Sequence, residues 1–414
     1  MWHNSRRGFN LIRSRANARN NKLKKVELTV IATLILAIST LAIYGTYMIV
    51  RNPKSQSVAS NKVEENASIE VYKEEEIVEK AEEIKDEEKE DVTIPQEEIK
   101  EETADIMKIT ALGEIMMGGN SWNTNSYSLA FKEISSYTQE SDFTIASLAT
   151  NITSVDDLSD TKSKYIANQN ILNAFSALNI DALNIATDHM LDFSANMFNT
   201  TIETLKNNDI DVIGLENDIV YAEKDGIRAA IIGINNVVIG SARDYINAGM
   251  YIYDLTKLKN SIAEARTKAD TVIVMTHYGK ENVHEVTDVM RWFAREIVKA
   301  GADIVLGGHS LGIYPVEEYE GKLIIYSLGY LMHDTNKEIG KKSAIFDINV
   351  SIEGRVEEVS ITPTYIQNKS SVRLYKDIDS NANNLLLQEL KNKSALSIYS
   401  SAIDNDKLVI KLNK

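Results

Sequence analysis

Short apolar runs alternate with amphipathic helical patterns through most of the chain beyond residue 105. Eight of these runs predict β-strands, at residues 106–112, 142–148, 182–186, 210–215, 227–234, 270–276, 302–308 and 322–329. Most are apolar throughout instead of alternating with polar residues, which is typical of strands buried on both faces of a sheet.

Four stretches between these runs have apolar residues at the i, i+3, i+4 spacing of a helix, at residues 168–179, 194–208, 253–269 and 290–301. This alternation predicts an α/β domain over residues 106–370, a sandwich in which helices cover central β-sheets. A β-hairpin is expected to turn near Glu353 and Gly354, and residues 371–414 are expected to form a partly helical C-terminal tail. Trp292 is expected to lie in the core.

The pattern before residue 106 is of another kind. Residues 28–50 carry no charge and are long enough to cross a bilayer core of ~30 Å as one helix. Residues 1–27 contain the basic N-terminus and residues 51–105 an acidic segment rich in Glu and Lys. A cleaved signal peptide is the alternative, but its apolar region spans only roughly 7–15 residues.

Charge placement sets the expected topology. A basic flank beside a single span predicts a cytoplasmic segment 1–27, a transmembrane helix 28–50 and an extracellular body. Residues 51–105 are then a solvated stalk that holds the body away from the cell membrane. The formal net charge of −15 argues against nucleic-acid binding, and the absence of cysteine excludes disulfides, thiolate metal sites and cysteine nucleophiles.

Polar residues interrupt the predicted strand ends. Three histidines, His189, His277 and His309, each stand just past an apolar run. Because ligands gather at the carboxyl ends of strands in open α/β sheets, a shared site is expected there. Glu114 follows the first strand, and Asp188 and Asp192 flank His189. Imidazole with carboxylate suits Zn, Mn or Fe in a hydrolytic site. The remaining body histidines, His284 and His333, are expected to face solvent.

Five segments resemble the CapA family of bacterial capsule and poly-γ-glutamate synthesis proteins. They are ALGEIMMG, SDFTIASLATNIT, IDALNIATDHMLDF, THYGKE and AGADIVLGGHSLGIYPVEEYEGKLIIYSLGYLM, in this order across roughly residues 106–335. The resemblance implies a calcineurin-like metallophosphoesterase fold and an N-terminal anchor with the body outside the cell. That arrangement agrees with the topology inferred from charge.

The chain departs from the family pattern at five polar positions. The family has Asp, Glu, Asn, His and Asn where this chain has, in order, Glu114, Ala149, Asp188, Leu311 and Tyr330. Ala149 and Leu311 cannot coordinate a metal, so a two-metal clamp is disfavoured.

Two interpretations of the site follow from these departures. In an active site, Glu114, Asp188, His277 and His309 hold one divalent ion, while His189 protonates a leaving group and Asp192 orients it. In a degenerate site no metal is bound, and the histidines only make structural hydrogen bonds. We favour weakened or absent catalysis, so whether the chain is an enzyme stays open.

The function is expected to be that of the CapA family. The leading hypothesis is a single-pass membrane protein that takes part in capsule or poly-γ-glutamate synthesis or export, with other membrane proteins of that process and an anionic polymer as partners. One alternative is a cell-surface metal-dependent phosphoesterase or other hydrolase. The other is a non-catalytic interaction protein of the envelope.

Overall fold

The computed structural model describes residues 105–118, 127–153, 165–283 and 285–413. The predicted transmembrane helix at 28–50 and nearly all of the predicted stalk lie outside these residues. None of the helices in the described ranges has the length and continuous apolar sequence needed to cross a bilayer.

The described residues form eighteen strands and eight α-helices. The strands are β1 Ile106–Ile115, β2 Phe143–Leu148, β3 Asn151–Thr153, β4 Ile166–Asn168, β5 Ala182–Asn184, β6 Asp211–Ile213, β7 Val220–Lys224, β8 Ile227–Asn235, β9 Thr271–His277, β10 Ile304–Gly308, β11 Val316–Tyr319, β12 Lys322–Ile325, β13 Tyr330–Met332, β14 Lys342–Ser351, β15 Val356–Gln367, β16 Ser371–Leu374, β17 Tyr399–Asp404 and β18 Lys407–Leu412. The helices are α1 Ser135–Thr138, α2 Leu172–Ala177, α3 Ala195–Lys206, α4 Ala242–Asn247, α5 Leu255–Arg266, α6 Asp288–Lys299, α7 Tyr375–Ile378 and α8 Ser380–Lys393.

Two sheets carry the fold, and each has a parallel centre. The first runs in the order β17-β18-β15-β14-β1-β2-β5-β6, with β13 on β1 and β16 on β15; the second runs β11-β12-β10-β9-β8-β7. Strands β1, β2, β5 and β6 are mutually parallel, as are β8, β9, β10 and β12. All eight predicted strands and the hairpin around Glu353 and Gly354 are therefore present.

The buried apolar residues form layers. One cluster joins the facing sides of the two sheets, with Ile109 and Ile145 from the first and Ile273 and Leu306 from the second. A second cluster packs α2 and α3 on the outer side of the first sheet, and a third packs α5 and α6 on the outer side of the second. The mixed α/β sandwich expected from the alternating pattern is confirmed, and the burial of central strands on both faces explains their unbroken apolar sequences.

The C-terminal segment joins the first sheet. Helix α8 is followed by the hairpin β17–β18, and β18 pairs antiparallel with β15, from Ile361 opposite Leu408 to Glu358 opposite Lys411. Leu408 and Ile410 are fully buried in the core between the sheets. The predicted tail, residues 371–414, therefore contains three strands, β16, β17 and β18, that the partly helical expectation did not include.

Candidate metal centre

The parallel strands bring the predicted site residues to one edge of the sandwich. Glu114 lies at the carboxyl end of β1, and Asp188 begins the short 3-10 turn that follows β5. From the second sheet, His277 is the last residue of β9 and His309 directly follows β10. Since carboxyl ends of parallel strands meet at one edge, the fold places all four side chains together, two from each sheet.

His277 lies between two carboxylates. Its Nε2 is 3.0 Å from Asp188 Oδ1, within hydrogen-bonding distance. Its Nδ1 is 3.1 Å from Glu114 Oε2 but is not aligned for a hydrogen bond. The His277 and Glu114 side chains are essentially inaccessible to solvent.

His309 completes the cluster from the neighbouring strand. Its Nδ1 is 3.8 Å from Asp188 Oδ2, and its ring centroid is 4.6 Å from that of His277. Asp188, His277 and His309 each offer a ligand atom, and these three atoms lie within 4.8 Å of one another. His309 has a φ of +72°, an uncommon conformation for a residue with a side chain, and such strain tends to persist at functional sites.

The donor set fits a divalent cation. Both carboxylate oxygens of Glu114, Nδ1 of His277 and Nδ1 of His309 are buried and lack a hydrogen-bond partner among the described residues. Buried polar atoms are nearly always partnered, so four such atoms in one cluster need an explanation. Two imidazoles with carboxylates are a usual ligand set for Zn, Mn or Fe.

The charged groups of the centre shift one another's pKa values. Burial lowers the pKa of His277, but Glu114 and Asp188 outweigh it and raise that pKa to about 10. Burial raises the pKa of Asp188, and the hydrogen bond and charge of His277 outweigh it, so the net shift is downward. Burial and the charge of His277 together lower the pKa of His309 to about 4. Without metal, His277 is protonated between two carboxylates and His309 is neutral.

His189 and Asp192, the predicted acid and its orienting residue, lie together at the margin of this cluster. His189 Nδ1 is 2.8 Å from Asp192 Oδ2, and its Nε2 is 3.8 Å from Asp188 Oδ1. Both side chains are partly exposed. The ring of Tyr165 stacks on His189 with centroids 3.9 Å apart and planes 9° from parallel. The structure thus brings all six predicted site residues together, although the roles assigned to them stay predictions.

Two residues near the centre, Tyr165 and His333, and one on helix α6, Trp292, were missed or misjudged from the sequence. Tyr165 follows no apolar run and carries no motif, so only the fold reveals its stack on His189. His333 was expected to face solvent, and this is wrong: it is 9% exposed, and its Nδ1 is 3.0 Å from Met116 Sδ. Trp292 was expected in the core, but it is 59% exposed, because the buried stripe of α6 runs through Met290, Phe293 and Ile297 instead.

Ala149 and Leu311, the two positions at which the family pattern has a ligand and this chain has none, lie beside the centre. They form a small buried apolar cluster with Met116 and Tyr330. Tyr330 is the register partner of Glu114 on the neighbouring strand β13. Gly113 allows this approach, since a Cβ there would lie 2.3 Å from the carbonyl oxygen of Gly329.

A separate cavity of about 620 Å³ lies between the loop after His309 and helix α8. Its walls include Ile313, Val316 and Leu390, and its rim carries charges of both signs. None of the four buried donors lines it. The chemistry of the centre therefore does not extend into this cavity.

Comparison with known proteins gives concordant matches. The model of the family "Bacterial capsule synthesis protein PGA_cap" matches residues 108–335. The capsule biosynthesis protein CapA of Bacillus anthracis is 28% identical over 329 residues, which cover 74% of this chain and 78% of that protein. The PGA biosynthesis protein CapA of Bacillus subtilis strain 168 is 25% identical over 286 residues, covering 66% of this chain and 75% of that protein.

Solved structures are more distant. The 5'-nucleotidase precursor from Thermus thermophilus superposes with a TM-score of 0.40 at 11% identity, covering 70% of this chain and 60% of that one.

Proposed function

The chain belongs to the bacterial capsule synthesis protein family PGA_cap, and on that premise we propose that it takes part in capsule or poly-γ-glutamate synthesis or export. The observation that carries the proposal is the family match over residues 108–335, supported by two relatives whose names state this role. The proposal extends to a calcineurin-like metallophosphoesterase fold, for which the carboxyl-end position of the donors is the supporting feature.

The proposed location is the cell membrane, with a cytoplasmic N-terminus and an extracellular body. The support is the uncharged run at 28–50 beside a basic flank. Removing residues 1–50 should release the protein from the membrane fraction of a cell lysate, while externally added protease should degrade the body of the full-length protein in intact, wall-stripped cells. A body protected from protease would overturn this topology.

In this proposal the centre still binds a divalent ion, but its catalytic activity is weakened. Glu114, Asp188, His277 and His309 would hold the ion, which when bound would supply Lewis acidity at this edge of the sandwich. His189, with Nδ1 held by Asp192, keeps Nε2 available to give a proton to a leaving group. Ala149 and Leu311 contribute no ligand, and this is the reason to expect weakened catalysis.

A second candidate function is a cell-surface phosphoesterase or other hydrolase acting on an envelope substrate. The pairing of His189 with Asp192 beside the metal ligands is the specific observation that favours it. Turnover of a generic phosphodiester by the metal-loaded protein, abolished by His189→Ala, would support this candidate.

Complementation tests the leading proposal. Deleting the gene should lower the amount of cell-associated polymer, and the wild-type gene should restore it. Asp188→Asn should fail to restore it, because it removes a buried carboxylate of the centre, whereas the exposed Asp218→Asn should restore it fully. Unchanged polymer in the deletion strain would overturn the proposed function. Full restoration by Asp188→Asn would show that the role does not need the metal centre.

A further inference from the structure

We propose that a basic surface at one end of the first sheet binds the carboxylates of an acidic polymer, a poly-γ-glutamate chain. The basic surface consists of the side chains of Lys341, Lys342, Lys369, Arg373 and Lys376, on or beside strands β14, β15 and β16. This inference rests on the proposed role in capsule or poly-γ-glutamate synthesis. It deepens that role by locating the contact with the polymer, away from the metal centre.

Three neighbouring strands place two of these cations on one face of the sheet. Lys342 of β14 is the register partner of Tyr365 of β15, and Tyr365 is the register partner of Arg373 of β16. Directly opposite residues of antiparallel strands point to the same face, and adjacent strands lie ~4.8 Å apart, so Lys342 and Arg373 flank Tyr365 with their Cα atoms about 10 Å from each other. All three residues are partly exposed, so a ligand can cross this row from solvent.

Two stacked tyrosines hold lysines of the basic surface in place. The rings of Tyr365 and Tyr375 have centroids 5.1 Å apart and planes 10° from parallel. Lys341 Nζ lies 5.9 Å from the Tyr365 centroid, and Lys342 Nζ lies 5.7 Å from the Tyr375 centroid. These distances are within the range of a cation–π interaction. Because the ring contacts already restrict the lysine side chains, less conformational entropy is lost when an anion binds.

The cations of the basic surface outnumber the carboxylates that pair with them. Three ion pairs are present: Lys341 with Glu338 at 3.2 Å, Lys369 with Asp334 at 2.7 Å and Lys376 with Asp406 at 3.6 Å. In the described part of the chain, neither Lys342 nor Arg373 has an ion-pair partner, and Asp377 and Asp379 pair with none of the five cations. The whole chain has a net charge of −15 and repels a polyanion, so a local excess of positive charge is what such a contact requires.

The guanidinium of Arg373 has a donor without an acceptor. Its Nε is buried and has no hydrogen-bond partner among the described residues, which is uncommon for a buried polar atom. A carboxylate is the usual acceptor for a guanidinium. Glu338, a carboxylate of the chain itself, accepts hydrogen bonds at this surface from Lys341 at 3.2 Å and from the Tyr365 hydroxyl at 3.1 Å. Lys342 and Arg373 bind the carboxylates of the polymer in the same way.

Polymer binding by the full-length protein in detergent micelles tests the inference, with fluorescently labelled poly-γ-glutamate as the probe and anisotropy as the readout. A chelator is present throughout, so that a metal ion does not bridge protein and polymer. Wild type should bind, and its Kd should rise with salt because the charges are exposed and therefore screened. Combining Lys342→Gln with Arg373→Gln should raise Kd about tenfold at low salt, the sum of two exposed charge pairs.

A matched pair of substitutions controls for the loss of two positive charges. Lys224 and Arg355 are exposed and pair with Asp225, and with Glu353 and Glu357, respectively. Arg355 lies at the opposite end of the β14–β15 hairpin, and Lys224 belongs to the second sheet. Combining Lys224→Gln with Arg355→Gln should leave the Kd for the polymer as it is in wild type.

Acetylation of wild-type lysines gives a measurement that does not depend on variants folding. Saturating poly-γ-glutamate should slow the labelling of Lys341 and Lys342, and should leave that of Lys224 unchanged. Unchanged labelling of Lys341 and Lys342, or an equal Kd for wild type and the first pair of substitutions, would overturn the inference.

Failure of the inference is distinguishable from failure of the proposed function. A wild-type protein that binds polyphosphate but not poly-γ-glutamate, or that binds neither, would overturn the inference. The polymer yield of the deletion strain tests the function itself, since a protein that never holds the polymer still lowers the yield when its gene is deleted if synthesis depends on it.

Discussion

At the scale of single residues, the charge of His277 makes the stability of the metal-free protein depend on pH. Its pKa is raised to about 10 by Glu114 and Asp188 against the effect of burial. A raised pKa in the folded state stabilises the fold fully below the ordinary value of about 6.5, and this contribution is lost as the pH rises through the folded value.

The metal-free protein should therefore lose stability in alkali. Between pH 7 and pH 10 the free energy of unfolding of wild type should fall by on the order of a few kcal/mol through this group. His277→Gln cannot be protonated, so its stability should fall less over that range. Denaturant unfolding at several pH values in the presence of a chelator measures the difference, and parallel curves for the two proteins would refute the assignment.

Single residues also show how far sequence reasoning reaches. His189, His277 and His309 were found because each ends an apolar run, and the fold gathers such ends. The side of the His277 ring on which Glu114 lies was not predictable, since it depends on how the two sheets face each other. His333 was misjudged for a related reason: its burial beside Met116 comes from strand β13 pairing with β1, a contact between residues far apart in sequence.

At the scale of elements, the hairpin β17–β18 ties the C-terminus into the core between the sheets. Leu408→Ala should lower the free energy of unfolding by about 2–5 kcal/mol, because the Leu408 side chain is fully buried. Lys411→Ala, on the same strand with an exposed ion pair to Glu358, should cost no more than about 1 kcal/mol. Chemical denaturation measures both, and equal small effects would mean that the hairpin does not support the domain.

The hairpin also shows where element prediction fails. Central strands such as β9 and β10 are apolar on both faces and were recognised from composition alone. Strand β17 is the edge strand of the first sheet and β18 lies next to it. Both bury only some of their residues, so their short sequences give a weaker signal. Helices α3, α5 and α6 have the clear 3.6-residue periodicity that identifies a helix. The predicted helix at 168–179 contains only the short helix α2 after a 3-10 turn.

At the scale of the whole molecule, an ion in the centre would join the two sheets, since Asp188 follows a strand of the first and His277 and His309 belong to the second. Binding to the folded state alone should stabilise it by about 2.7 kcal/mol at a free metal concentration of 100 times Kd. Thermal unfolding with and without Mn²⁺ should show this increment in wild type and not in Asp188→Asn.

Asp303 provides the matched control for this experiment, because it lies just before β10, at the end opposite His309. Its buried carboxylate accepts a hydrogen bond from the Val272 amide at 2.8 Å and pairs with Lys322 at 2.6 Å and with Arg266. Asp303→Asn should lower the baseline stability and keep the metal increment. Loss of the increment in both variants would contradict the assignment of the ligands.

The left-handed backbone at His309 means that metal binding and thermostability favour different residues at this position. Glycine would adopt that conformation with less strain than histidine, so the imidazole is retained at a cost to the metal-free fold. A directed-evolution screen that selects only for heat resistance in the absence of metal would therefore favour replacing His309, and would discard the centre while improving the scaffold.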